Sequence, residues 1–349
     1  MNKNFFLSLL IILISFLQNS CGSKRISKKI IVESSGKIES LDPARANTLK
    51  AIQLISALGD TLYELNSNGE LIPELASGMP IISKDRLQII INLRKNVLFH
   101  DGTSFNSNAI KFTFDRFKRI GTMNYILGNK IKSIETPSEY SVIINLTKPS
   151  SSLNGLLTSV NLTPISPTFY KEYSDKFLNE KFVGTGKYVL TSFSNEVQSI
   201  DPNLNYWGEK ALNKGIKFVG YSNSSSLFGA LKSKQIDVLL SNSIDDSQRK
   251  SLNNLSKNKQ FNEGNSPFTE LSFISLKTSS YPLSNRNLRL ALAKSLNRKL
   301  ISEKVSYGLR KPSRSIIPPI LKKDNQELWP KYDYSVSYTH LTLPTILLV

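Results

Sequence analysis

The chain has 349 residues, long enough to bury a sizeable core and to divide into two or more domains, and its composition is that of a folded protein. Its formal net charge of +18 comes from 45 basic and 27 acidic residues, but the basic ones are scattered, as at Lys28-Lys29, Lys232, Lys234, Lys257 and Lys259, which speaks for a basic solvated surface and against a nucleic-acid partner. One cysteine, Cys21, excludes an internal disulfide and a thiolate metal cluster, and two histidines, His100 and His340, exclude a histidine-rich metal site, so neither metal nor cofactor is expected.

Residues 1–21 read as a leader. Lys3 precedes an apolar run from Phe5 to Leu17 broken only by Ser8 and Ser15. That run is short of the ~20 residues a spanning helix needs and suits an export signal. Ser20-Cys21-Gly22 resembles a bacterial lipoprotein cleavage site, which makes Cys21 the lipidation candidate and implies a membrane anchor; ordinary cleavage nearby would instead leave a free thiol. Ile30 to Val32 is a short strand. Asp42-Pro43 then favours a turn. Thr48 caps a helix whose Leu49, Ile52, Ile55 and Leu58 are expected in the core.

The centre of the chain is the stretch from Gly69 to Phe117. Leu87, Ile89, Ile91 and Leu93 alternate with Gln88, Ile90, Asn92 and Arg94, the two-residue period of a strand with one buried face. Asp101-Gly102 supplies a turn, which His100 is expected to serve. Asn106 or Ser107 caps a helix carrying Ile110, Phe114 and Phe117 on one face. Tyr140, Val142, Ile144 and Leu146 form a second alternating strand, suited to pairing with the first. Further on, Ile216 to Val219 reads as strand, Ser222 to Lys234 as helix with Leu227, Ala230 and Leu231 inward, and Gln235 to Leu240 as strand, a parallel-sheet unit with a right-handed crossover. Asp245 to Gln260 is helix plus loop. Glu270 to Leu276 alternates as a strand, and the helix after Pro282 buries Leu288, Ala291, Leu292, Ser295 and Leu296.

Several of these segments carry a resemblance. Leu71-Ile-Pro-Glu-Leu-Ala76, Val97-Leu-Phe-His-Asp-Gly102, Phe114-Asp-Arg-Phe117, Gly184-Thr-Gly186, Asn205-Tyr-Trp-Gly208 and the run from Tyr281 to Arg298 follow in the order and spacing of a signature. Together they resemble the family 5 extracellular solute-binding proteins, the peptide- and nickel-type binding proteins of ABC importers, over roughly residues 30 to 320. Lys187 stands where the family often has Pro, and Asn285 and Asn297 where it has Asp.

The resemblance implies an α/β fold of the periplasmic-binding-protein type II, with two lobes around a cleft and an additional smaller domain. On that pattern residues 22–60 and 182–265 form a discontinuous first lobe, 61–181 a smaller inserted domain, and 266–334 part of a second lobe that is incomplete as written. Residues 335–349 resemble a translated adapter tail and are read as non-native. The implied function is a carrier that binds a peptide or similar small solute in the periplasm or at the cell surface and delivers it to an ABC permease. It is expected to act as a monomer and without enzymatic activity. Asp42, Arg45 and Asn47, beyond the first strand, and Phe273 and Ser275, where the second cleft wall begins, are the implied ligand contacts. Asp42 and its neighbours also fit an ordinary turn. Arg289 is expected to make a structural contact, and Trp207 to pack. Nickel is disfavoured because the chain lacks histidines to hold it. A surface interaction or chaperone-like protein on the same fold is the alternative. A secreted hydrolase would need a nucleophile beside a base, and neither a Gly-x-Ser-x-Gly elbow nor clustered carboxylates are present.

Overall fold

The computed structural model describes residues 28–315, apart from 35, 37, 128–129, 151–152, 174–175, 241–242, 265–270 and 314. Residues 1–21, Cys21 among them, and residues 335–349 lie outside the described residues. No helix among those described is long and apolar enough to cross a membrane.

The first strand, β1 (Ile30–Glu33), leads to helix α1 (Leu49–Leu58). Thr48 caps α1 by accepting a hydrogen bond from Ala51 N at 3.3 Å. Its buried face is Ala51, Leu54, Ile55 and Leu58, while Leu49 lies 48% exposed. The expected three-residue stripe is thus corrected. Steps of three drift around a 3.6-residue helix, whereas mixed steps of three and four stay on one face.

Then come β2 (Tyr63–Leu65), β3 (Leu71–Pro73), β4 (Ile81–Ile82), β5 (Gln88–Asn92), α2 (Ser107–Ile120), β6 (Ile131–Ser138) and β7 (Ser141–Leu146). The strands β4, β5, β7 and β6 form one antiparallel sheet in that order. Ile89 faces Ile144 and Ile91 faces Val142 across β5 and β7, and all four are buried, as the alternation requires. Helix α2 is capped by Asn106, whose side chain accepts from Asn108 N at 3.1 Å. It lays Ala109, Ile110, Phe114 and Phe117 into the same core.

Two short helices, α3 (Leu153–Leu156) and α4 (Pro167–Tyr170), precede strands β8 (Tyr188–Phe193), β9 (Val197–Pro202) and β10 (Ile216–Val219). The second sheet runs β1, β10, β9, β8, with β1 and β10 parallel and the other pairs antiparallel. Helix α5 (Ser224–Lys232) buries Leu227, Ala230 and Leu231. The strand expected over 235–240 contracts to a single parallel bridge between Val238 and Val32 on the open side of β1. This still completes a strand–helix–strand crossover, because β10 and Val238 flank the same strand. A second core gathers Leu41, Leu54, Ile55, Leu58, Tyr170, Phe182 and Ile200, and a third lies beneath α5.

Helices α6 (Asp246–Lys257), α7 (Arg286–Ser295) and α8 (Arg298–Val305) follow. Asp245 and Gln248 close a reciprocal capping box on α6. These helices are shallowly packed: Ala291 is the one fully buried residue on the three. The inward face expected at Leu288, Leu292, Ser295 and Leu296 is only half-buried. Residues 271–276 form no strand, and Phe273 and Ile274 are both exposed, at 67% and 69%. Alternation alone does not make a strand; it needs a neighbour to accept its hydrogen bonds, and none pairs with this segment among the described residues. Arg289 does make the structural contact expected of it, donating to the Leu283 and Ser284 carbonyls at 2.8 and 3.0 Å.

Candidate functional site

The loop after β1 is fixed by an internal ion pair. Asp42 is fully buried, and its carboxylate receives both guanidinium nitrogens of Arg116, Nη1 at 2.8 Å and Nη2 at 2.5 Å. It also accepts from the backbone of Ala44 and of Leu178, each at 3.0 Å. Asn161 pins the far side of the loop by donating to the Pro43 and Ala46 carbonyls at 2.7 and 2.8 Å. Asp42 thus anchors the loop through buried contacts, which matches the ordinary-turn reading of this segment. Arg116 was the missed partner. The signal was a charge set between Phe114 and Phe117 on a helix face that is otherwise core.

The anchored loop presents Arg45 to a hollow of about 370 Å³, lined also by Ile38, Glu39, Asn179, Glu180, Phe193 and Asn195. The Arg45 guanidinium lies 5.4 Å from the centre of the Phe177 ring. A cation between two acids and a pair of amides can meet both ends of a zwitterion and the N–H and C=O groups between them. Asn47 is exposed just beyond. Phe273 and Ser275 are also exposed and do not line this hollow.

A second polar feature, absent from the sequence reading, stands at the carboxyl end of β1, where open α/β sheets place their ligands. Glu33 and Lys50 are both buried there, and Lys50 Nζ donates to Gly36 O at 3.0 Å. Burial holds the ammonium below its usual range, and the Glu33 charge partly restores it. Lys50 lies four residues before Leu54 and eight before Leu58, so its place on a buried stripe was readable.

Four of the six signature segments meet at a third cluster, around Asp60. Its Oδ2 accepts from Trp207 Nε1 at 2.8 Å and from Thr185 Oγ1 at 2.9 Å, and its Oδ1 from Tyr206 at 3.1 Å. Beside it the Glu74 carboxylate accepts from the Thr61 backbone and hydroxyl at 2.8 and 2.9 Å. Burial first, and the Asp60 charge second, push the Glu74 carboxyl up to about 7, against the Thr61 hydrogen bonds. His100 borders the cluster and feels the Asp60 charge. Its backbone N–H donates to Gly184 O at 2.8 Å, and Nε2 lies 3.1 Å from Gly186 O. The imidazole thus ties two segments together, and the turn it was expected to serve is held instead by Asp101, which accepts from Thr103 N and Oγ1. Burial lowers the His100 basicity, opposed by the Gly186 contact and by Asp60 and Asp101. Gly184 and Gly186 are needed for close approach: a Cβ on Gly186 would stand 2.3 Å from the Leu58 carbonyl carbon. Among the described residues no group of three or more potential metal ligands comes together.

The model of the bacterial extracellular solute-binding proteins, family 5, middle region, matches residues 70–339. The chain belongs to this family. Similarity to curated family 5 members runs along most of its length. The glutathione-binding protein GsiB of Salmonella typhi is 25% identical over 313 residues, which cover 88% of this chain and 59% of that protein. GsiB of Shigella flexneri matches equally, at 25% over 313 residues. Among solved structures, the periplasmic binding protein DppA from Helicobacter pylori, in complex with a peptide, superposes with a TM-score of 0.75 at 22% identity, covering 91% of this chain and 66% of that one. The dipeptide binding protein from Pseudoalteromonas sp. SM9913, in complex with Met-Leu, gives 0.74 at 22%, covering 90% and 66%. This family 5 chain therefore has the type II periplasmic-binding-protein fold, and it spans about three-fifths of the length of the GsiB relatives.

Proposed function

We propose that this chain is the substrate-binding component of an ABC importer, that it binds a peptide or similar small solute, and that it hands the solute to a permease without chemical change. Its membership of family 5 carries the reading. The hollow at Arg45 supports a ligand with both charged and amide groups, since Glu39 and Glu180 suit an ammonium and Arg45 a carboxylate. Arg45 and Asn47 are the proposed contacts on this side, held in place by the Asp42–Arg116 pair. Phe273 and Ser275 are proposed as contacts from residues 266–334, the partial second lobe, while 22–60 with 182–265 form the first lobe and 61–181 the inserted domain. Closure of the lobes by hinge bending, with the permease reading the closed form, is the proposed cycle. Export to the periplasm or cell surface, lipidation at Cys21 and a monomeric state complete the proposal.

Calorimetric titration with defined di- and tripeptides, glutathione among them, tests it. Saturable one-to-one binding that weakens about tenfold or more in Arg45→Gln is the expected outcome. Heatless titrations with every peptide would overturn the peptide assignment, and turnover of any of them would overturn the carrier reading.

A further inference from the structure

A hollow of about 450 Å³ lies where Trp207 meets the turn after β5, lined by Ser77, Leu93, Arg94, Lys95, Asn96 and Trp207. Its volume falls in the range of small-molecule sites. The lining holds two cations, two neutral polar side chains and an apolar floor, and no acid. None of these residues lines the hollow at Arg45.

The Arg94 guanidinium is pre-positioned. Nε donates to the Glu74 carbonyl oxygen. Its Cζ sits over the Trp207 ring, 4.6 Å from the centre. Trp207 is itself locked by its bond to Asp60. Of the three acids around this cluster, Asp60 is turned to Trp207, Thr185 and Tyr206 and Glu74 to Thr61, while Glu64 lies exposed on β2. Among the described residues no carboxylate pairs with Arg94 or with Lys95. Lys95 is exposed and rests over the Tyr140 ring at 5.6 Å. Asn96 holds the turn at φ +60°, a conformation that asparagine tolerates.

We infer that this hollow binds the carboxylate of a small organic acid. The free edge of the Arg94 fork matches a planar carboxylate with two parallel hydrogen bonds. Lys95 adds a second charge, and Ser77 and Asn96 offer neutral donors. The part of the Trp207 indole left uncovered by Arg94 accepts an apolar or aromatic body behind the acid group. The inference stands apart from the carrier reading, because its site and its ligand class are argued from different residues.

Benzoate is the probe, titrated into the full chain carrying Trp329→Phe so that Trp207 is the single indole reporter. We expect saturable quenching at low salt that is absent with benzyl alcohol. Affinity falls about tenfold or more in Arg94→Gln and several-fold in Lys95→Gln, as loss of a charge-assisted contact predicts. Should Arg94→Gln fail to fold, Lys95→Gln and the side-chain NMR shift of Arg94 in the otherwise unaltered chain give the same answer. The inference is overturned by quenching that does not saturate or is unchanged in the variants. Displacement of benzoate by equal concentrations of phosphate or chloride would show a generic anion site. Tighter binding of an end-capped peptide bearing one glutamate would assign the hollow to a protein partner instead of a small acid.

Discussion

Asp42 and Arg116 lie 74 positions apart and are both almost without solvent contact. Removing one member of a buried, hydrogen-bonded pair strands the other charge, at a cost of about 3–5 kcal/mol. Asp42→Ala should therefore lower the urea unfolding free energy by roughly that amount, and a loss under 1 kcal/mol would show the pair to be idle. Glu74 makes a second prediction at this scale. In the fold it keeps its proton up to about pH 7, whereas in the unfolded chain it releases it near 4.3. The native state then holds more protons across that window, so Glu74 costs stability as pH rises through it, at up to about 1.4 kcal/mol per unit. His100 works in the opposite sense. Its lowered basicity keeps it neutral in the fold, so its contribution is present above the unfolded value of about 6.5 and is lost as pH falls below it. Glu74→Gln should leave stability near pH 4 almost unchanged and raise it at pH 8; equal unfolding curves for the two proteins at pH 8 would refute the assignment.

At the scale of elements, the Gly184-Thr185-Gly186 segment runs against the carboxyl end of α1, where Gly186 N donates to Leu58 O at 3.0 Å. A methyl group at Gly186 would meet the backbone of Leu58 and Gly59, which has no flexible end to move aside. Gly186→Ala should cost about 1–3 kcal/mol by overpacking and shift the thermal midpoint downward; an unchanged midpoint would mean that the contact is loose. Helix α2 offers a control of known size, since Asn106→Ala removes one cap bond and should cost about 1 kcal/mol without altering the fold. The strands β5 and β7, α2 and its cap, and α5 with its inward face were all legible in the sequence, because period and capping are local signals. The segment 271–276 was not, because a pleated pattern reports only a preference that a neighbouring strand must complete.

At the scale of the whole molecule, burial is uneven. The cores around β5, β7 and α2 and around α1 are dense, while α6, α7 and α8 bury almost nothing. Local opening follows the number of buried apolar contacts. Amide hydrogen exchange should accordingly be fastest over residues 271–310 and slowest in β5, β7 and α2, and protection of 271–310 equal to that of β5 would contradict this distribution. The candidate site shows the same division between what is local and what is not. The turn at Asp42 was visible from Asp42-Pro43, yet its partner Arg116, the Asn161 clamp and the hollow at Arg45 draw on five separate stretches of chain.

The amino-acid sequence by itself determined the α/β class, the chief strands and helices, the exclusion of disulfides and thiolate metal sites, and the membership of a solute-binding family, because these rest on composition, short-range periodicity and the order of motifs. The tertiary structure decided which charges are spent internally and which remain free. It turned Asp42 inward to Arg116, made His100 a tie between segments, and set Arg94 over Trp207 with no carboxylate paired to it among the described residues. Those outcomes depend on groups brought together from distant positions, and the energy of a charge is set by what surrounds it in space.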